Sequence, residues 1–128
     1  MIKLVNIKME YDKKVVLDNI NLTVTSGETV AIIGPSGSGK STLLRLMVGL
    51  TKPSAGEIWI ENEEISQYKE NDLNKVRLKT GMVFQYSALF DFLSVGENVA
   101  FGLRQHTKLS NKEIQAIVKE KLRVVGLV

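Results

Sequence analysis

Residues 34–41 read GPSGSGKS, and their place between an apolar run and an amphipathic stretch limits the fold more than any other feature. Gly34, Gly39, Lys40 and Ser41 satisfy the pattern G-x-x-x-x-G-K-[ST]. Immediately upstream, Thr29-Val30-Ala31-Ile32-Ile33 is apolar on both faces, as a central parallel strand covered by helices would be. Downstream, Leu43, Leu46, Met47 and Leu50 fall at i, i+3, i+4 and i+7, one stripe of a helix expected over 40–50. Strand, glycine-rich loop and helix in that order predict an α/β unit.

The chemistry of such a loop follows from its residues. A triphosphate needs many hydrogen-bond donors aimed at one small volume. Backbone N–H groups supply them where the chain curls, and Gly34, Gly37 and Gly39 permit the curl because they lack a Cβ. Pro35, Ser36 and Ser38 fill the remaining loop positions, and Thr42 follows in the first helical turn. The amino terminus of that helix adds unpaired amides and a favourable dipole for an anion. Lys40 supplies a point charge for the β- and γ-phosphates, and Ser41 offers a hydroxyl to Mg²⁺.

Around this unit the chain reads as strands at 2–9 and 15–24, joined by a hairpin at Asp12-Lys13-Lys14. Ile20, Leu22 and Val24 alternate with polar neighbours. Ser26-Gly27 predicts a turn. Short strands are expected at 58–60 and 81–84, with a left-handed residue at Asn62 between 60 and 64. A helix over 71–78 is expected to open at Asn71 or Asp72, and another lies near 96–104. Ser110 and Glu113 have capping-box spacing, Ile114, Ile117, Val118, Leu122 and Val125 line one face, and Gly126 stops that helix. The 128 residues are of ordinary composition, 44% hydrophobic and 24% charged, so a disordered or fibrous chain is excluded. Without cysteine there are no disulfides or thiolate metal sites. The net charge of +3 brings no aromatic-plus-basic surface with it, and no nucleic-acid partner is expected. No apolar run is long enough to span a bilayer, so a membrane role would come through a partner.

The wider sequence carries a resemblance. GPSGSGKSTLLRLMVGLTKPSAGEIWI, residues 34–60, resembles the ATP-binding (ATPase) subunits of ABC transporters. Tyr11 stands where that family places an aromatic ring to stack on adenine, ahead of VVLDNINLTV. Met82-Val83-Phe84-Gln85 resembles the strand and glutamine of the family's Q-loop, which implies that Gln85 senses nucleotide, contributes to Mg²⁺ or the attacking water, and lies near a transmembrane partner. Lys40 and Gln85 are thereby the expected catalytic contributors, Ser41 and Gln85 the Mg²⁺ ligands, and ATP the nucleotide. Residues 84–107, FQYSALFDFLSVGENVAFGLRQHT, are similar to the ATPases of bacterial lipid-transport systems that work with MCE-domain proteins, of the Mla type.

The resemblance implies an α/β fold of the P-loop NTPase, ABC ATPase type. An antiparallel β subdomain and a partial parallel core sheet are expected, ending before the carboxy-terminal half of the family domain. Residues 1–128 then form part of one nucleotide-binding domain, with the helical subdomain starting about 96–128. The implied partners are a transmembrane permease subunit and a second ATPase subunit, at the inner face of a bacterial membrane. No LSGGQ-like signature and no apolar strand ending in paired acids occur in the sequence, and His106 lies outside the segment where the family uses a histidine, so it is read as an exposed loop residue. The chain alone is therefore expected to lack ATPase turnover, and to self-associate through the Thr29–Ile33 strand. A soluble ABC-type ATPase acting on nucleic acid or ribosomes, and a non-catalytic nucleotide-binding fragment, are the alternatives.

Overall fold

In the computed structural model, which describes residues 1–127, the first 24 residues fold back on themselves as an antiparallel hairpin. Its strands are β1 (Ile2–Tyr11) and β2 (Lys14–Val24). The two residues between them, Asp12 and Lys13, both take positive φ, 46° and 65°, which makes the link a type I′ turn whose twist matches the strands. Neither residue is glycine. The double substitution Asp12→Asn, Lys13→Gly should therefore raise stability by about 0.5–1 kcal/mol, seen as a higher midpoint of urea unfolding.

β3 (Ala55–Ile60) pairs with β1, and β4 (Glu63–Glu64) pairs with β3, giving the order β2-β1-β3-β4. The register is broken in three places along β1–β2. Val5 and Asn6 oppose Asn21 alone, and the Asn21 side-chain oxygen accepts the Asn6 N–H at 2.9 Å in place of the missing ladder bond. Asp18 and Asn19 oppose Lys8 alone, and Val16 has no partner at all. Across the sheet, the same Asn6 region faces Gly56, which has φ 96° and touches the β1 backbone.

Leu4, Ile7, Met9, Leu17, Ile58 and Ile60 turn one face of this sheet inward. α1 (Lys40–Met47) covers it with Leu43, Leu46 and Met47, and α2 (Glu70–Arg77) adds Leu73 and Val76. α1 ends earlier than its periodicity predicts. Gly49, at φ 71°, donates to Leu46 O and Leu50 donates to Arg45 O, the paired bonds of a Schellman stop, so Leu50 lies beyond the helix and is exposed. The Arg77 guanidinium donates to Gly49 O at 2.7 Å and ties α2 to that stop.

Contacts divide the chain into two compact units, Met1–Val83 and Phe84–Val128. The second contains α3 (Val95–His106) and α4 (Asn111–Val124), packed through Ala100, Ile114 and Val118. Both helices open with a capping box, Ser94 with Glu97 and Ser110 with Glu113. Gly126 closes α4 with its own Schellman pair, as the sequence predicts. The serine backbone and hydroxyl bonds hold the Glu97 carboxyl below its ordinary pKa, and the Ser110 hydroxyl and backbone do the same for Glu113. A lowered folded-state pKa contributes stability above the unfolded value and loses it as pH falls through the folded one. Helicity at 222 nm should therefore drop as pH falls from about 5 toward 3, and the Glu97→Gln, Glu113→Gln double variant should flatten that dependence.

Several expectations are corrected. The parallel core sheet does not form among the described residues: neither 29–33 nor 81–84 has a ladder partner. A parallel strand exists only through its neighbours, and without them Ile33 is 92% and Val83 97% exposed. The left-handed residue of the β3–β4 turn is Glu61, φ 56°, not Asn62. α2 begins at Glu70, with Lys69 at the cap position instead of Asn71 or Asp72 and no side-chain cap bond. His106 is not in a loop but in the last turn of α3, where a basic residue suits the helix dipole. No helix among the described residues is long and apolar enough to cross a membrane.

Candidate nucleotide-binding site

The loop 34–39 leaves the unpaired segment 29–33 and enters α1 through Gly39, whose φ of 93° places it in the left-handed region. Gly39 acts as the helix N-cap without a side chain, so nothing of its own occupies the helix mouth. Its carbonyl accepts the Leu43 N–H at 2.9 Å and starts the helical ladder. Lys40, Ser41 and Thr42 then occupy the first turn, where backbone amides have no intrahelical acceptor. Gly37 is also left-handed, φ 79°, with open space where a Cβ would be. Ser38 N–H donates back to Pro35 O at 3.2 Å and closes the curl.

Lys40 reaches back across the loop. Its Nζ donates to Gly34 O and Pro35 O, each at 2.7 Å, and approaches Ser38 Oγ at 3.4 Å. An ammonium has three donors. Two are fixed on the loop carbonyls, and the third is held only weakly. Gly34 sits at the crossing, where a Cβ would come within 2.8 Å of Ser38 Oγ and 3.9 Å of Lys40 Cδ. The loop is thus a ring of small residues closed by a cation, with its rim exposed over 33–38. This donor set fits a polyphosphate. No cluster of three or more His, Cys, Asp or Glu able to hold a metal occurs among the described residues. The Ser41 hydroxyl, exposed in the first turn of α1, is a donor suited to Mg²⁺ carried on phosphate oxygens.

Gly34, Pro35, Ser36, Gly37, Ser38 and Gly39 form this loop, and Lys40, Ser41 and Thr42 follow as the first turn of α1. Tyr11 belongs to the same unit, 45% exposed at the end of β1, where it pairs with Lys14. Gln85 belongs to the second unit, exposed at a bend just past Phe84. Sequence reasoning missed Asn98. Its Oδ1 accepts the Phe90 N–H at 2.8 Å, and its Nδ2 donates to the carbonyls of Phe90, Leu93 and Ser94 at 3.0–3.2 Å. That amide fixes the loop that follows Gln85, with Phe90 packed on Phe92 and Phe101. The Ser94–Glu97 box was written in the sequence as S-x-x-E and was also missed.

The family profile described as "ABC transporter" matches residues 17–127 of this chain. The chain belongs to the ABC transporter family. As an ATP-binding member of the ABC transporter family it takes ATP and Mg²⁺ as its cofactors, and the loop described above has the donors for both. Its fold is that of an ABC ATPase cassette with an antiparallel β subdomain. Superposed on the dimeric post-hydrolysis structure of the ATP-binding cassette MJ0796 bound to ADP and Pi, it gives a TM-score of 0.88 at 36% identity, covering 96% of this chain and 56% of that one. The intermembrane phospholipid transport system ATP-binding protein MlaF of Haemophilus influenzae is 42% identical over 99% of this chain and 48% of its own length. The Fe(3+) ions import ATP-binding protein FbpC of Escherichia coli is 41% identical over 98% of this chain and 34% of its own. The sulfate/thiosulfate import ATP-binding protein CysA of Pseudomonas aeruginosa is 43% identical over 98% and 38%. The chain thus spans about a third to a half of the length of these curated relatives.

Proposed function

We propose that this chain is the nucleotide-binding part of a transporter's energy-coupling ATPase subunit, and that its phosphate loop holds Mg-ATP. The observation that carries the reading is the Lys40 ammonium, held by two loop carbonyls at 2.7 Å with one donor still available to an anion. In this reading the amides of Gly37, Gly39, Lys40, Ser41 and Thr42 bind the phosphates, and Gly34 and Pro35 hold Lys40. Ser36 and Ser38 shape the rim, and the Tyr11 ring stacks on adenine. Mg²⁺, when bound through Ser41 and Gln85, neutralises charge on the phosphate oxygens. Binding and positioning are the work of these residues, because phosphoryl transfer depends on little else from the protein.

Hydrolysis, transport and assembly belong to the proposal for the whole protein. Its partners would be a second copy of the ATPase subunit, as in the dimeric MJ0796 cassettes, and a transmembrane permease at the cytoplasmic face of a bacterial membrane. Residues 84–107 would include the Q-loop, with the helical subdomain starting about residue 96. Lipid is the proposed cargo. The support is the similarity of that segment, Ala88-Leu89-Phe90-Asp91 above all, to lipid-transport ATPases. Iron, sulfate and polyamine importers stand at 41–43% identity, so overall identity does not select the cargo.

Two measurements test the reading. Calorimetry with Mg-ATP and with Mg-bound inorganic triphosphate should give binding to both, with Tyr11→Ala weakening ATP about tenfold and triphosphate not at all, since stacking on an aromatic is worth roughly 1–3 kcal/mol. No heat from either ligand would remove the nucleotide-binding reading. For the cargo, the whole protein purified with its membrane partner should carry phospholipid and respond to it by increased ATP turnover. A response to sulfate or ferric ion instead would overturn the lipid assignment.

A further inference from the structure

We infer that the β-bulge at Val16–Leu17 is the support that holds the phosphate loop in its binding shape, which makes Leu17 and Val16 positioning residues for the nucleotide's polyphosphate. The inference rests on the proposed nucleotide site and adds to it a part of the sheet remote from the loop in sequence.

In β1–β2 the register runs Met9 opposite Leu17, then Glu10 opposite Val15, so Val16 is an extra residue without a cross-strand partner. In a regular strand residues 16 and 17 would face opposite sides of the sheet. The bulge cancels that alternation locally. Both residues converge on the same point. Where a Cβ on Gly39 would stand, Leu17 Cδ2 is 2.8 Å away, Val16 Cγ1 3.2 Å and Val16 O 3.3 Å.

Gly39 is the residue through which the loop turns into α1, and its left-handed backbone is pressed against this wall. Leu17 cannot yield easily, because it is 6% exposed within the core that includes Met9 and Leu43. The wall therefore bears on the first turn of α1, whose free amides at Lys40, Ser41 and Thr42 the proposed site assigns to the phosphates. Removing it leaves the Gly39–Leu43 bond, and the amides beside it, free to fray at the helix start. The wall touches Gly39 itself, so the loss falls on the phosphates, and inorganic triphosphate, which has no base, reads it apart from Tyr11, whose partner Lys14 lies two residues from Val16.

Leu17→Ala and Val16→Ala in the full chain, titrated with Mg-ATP and with Mg-bound inorganic triphosphate, test this at a temperature where each variant keeps the parent circular dichroism. Leu4→Ala is the packing control, since Leu4 is buried in the same core on β1. Leu17→Ala should weaken both ligands about tenfold and Val16→Ala about threefold, because small misplacements of binding groups are costly. Leu4→Ala should leave both affinities within about twofold, and Leu17→Met should restore binding. Amide exchange at Leu43, whose N–H bonds Gly39 O, gives a reading without ligand. It should quicken about tenfold in Leu17→Ala and not in Leu4→Ala. Unchanged affinity in Leu17→Ala, or equal weakening in Leu4→Ala, overturns the inference. If the parent chain binds neither ligand, the nucleotide reading fails by itself, and unaltered Leu43 exchange in Leu17→Ala then overturns the support role as well.

Discussion

Gly56→Ala is expected to lower the unfolding free energy by about 3–4 kcal/mol, the sum of a left-handed backbone penalty and overpacking. Gly56 has φ 96°, and a Cβ there would stand 2.5 Å from Asn6 O and 2.6 Å from Val5 O. Those are backbone atoms of β1 at its bulge, so no side-chain rotation relieves the contact. Either β1 and β3 separate or the bulge is rebuilt. Both break the ladder that joins the hairpin to the rest of the sheet. Against a total stability of roughly 5–15 kcal/mol, such a loss is large. Urea unfolding measures it, with Gly102→Ala as the contrast. Gly102 lies within α3 with nothing within 4 Å of a Cβ, so that variant should gain about 0.5–1 kcal/mol. Equal midpoints for Gly56→Ala and the parent chain would mean that the close approach of β1 and β3 is not rigid.

Lys40→Ala should weaken Mg-ATP about 100-fold while leaving the fold intact. Hydrogen bonds to a charged group are worth about 1.5–3 kcal/mol, and each 1.4 kcal/mol is tenfold in affinity. Alanine removes the ammonium and also unties Gly34 O from Pro35 O, which it holds together at 2.7 Å each. Both carbonyls belong to exposed residues, so water replaces the lost donor and the cost to folding is small. Calorimetry reads the affinity, and thermal unfolding without ligand checks the fold. If Lys40→Ala kept the parent affinity, the ring between Gly34 and Lys40 would not be the site of the phosphates.

What the sequence made legible was whatever is encoded locally. The loop 34–41, the hairpin, the Ser110–Glu113 box and the stop at Gly126 each depend on residues a few positions apart, and each forms in the structure, the hairpin link tightening from 12–14 to Asp12 and Lys13 as both strands extend. The strands at 29–33 and 81–84 were read from an apolar pattern that describes burial on both faces, but pairing is a property of neighbours, and none is present among the described residues. The early end of α1 was hidden because the apolar stripe runs through to Leu50 while Gly49 sets the stop. Asn98 gave no signal either, since an asparagine inside a helix announces nothing until the carbonyls of Phe90, Leu93 and Ser94 converge on it. The bulges of the hairpin were equally invisible. Register follows from what the hairpin packs against, and no short motif spells it.

β2 lies at the margin of the sheet and is eleven residues long. A flat margin of that length would offer its free amides and carbonyls to any passing chain and seed ribbons of stacked copies. The irregularities at Val16 and at Asp18–Asn19 chop it into runs too short and too twisted to seat a foreign strand, and the charges of Lys14 and Asp18 discourage the approach. The kinks in this hairpin thereby blunt the longer free edge of the sheet as a template for aggregation.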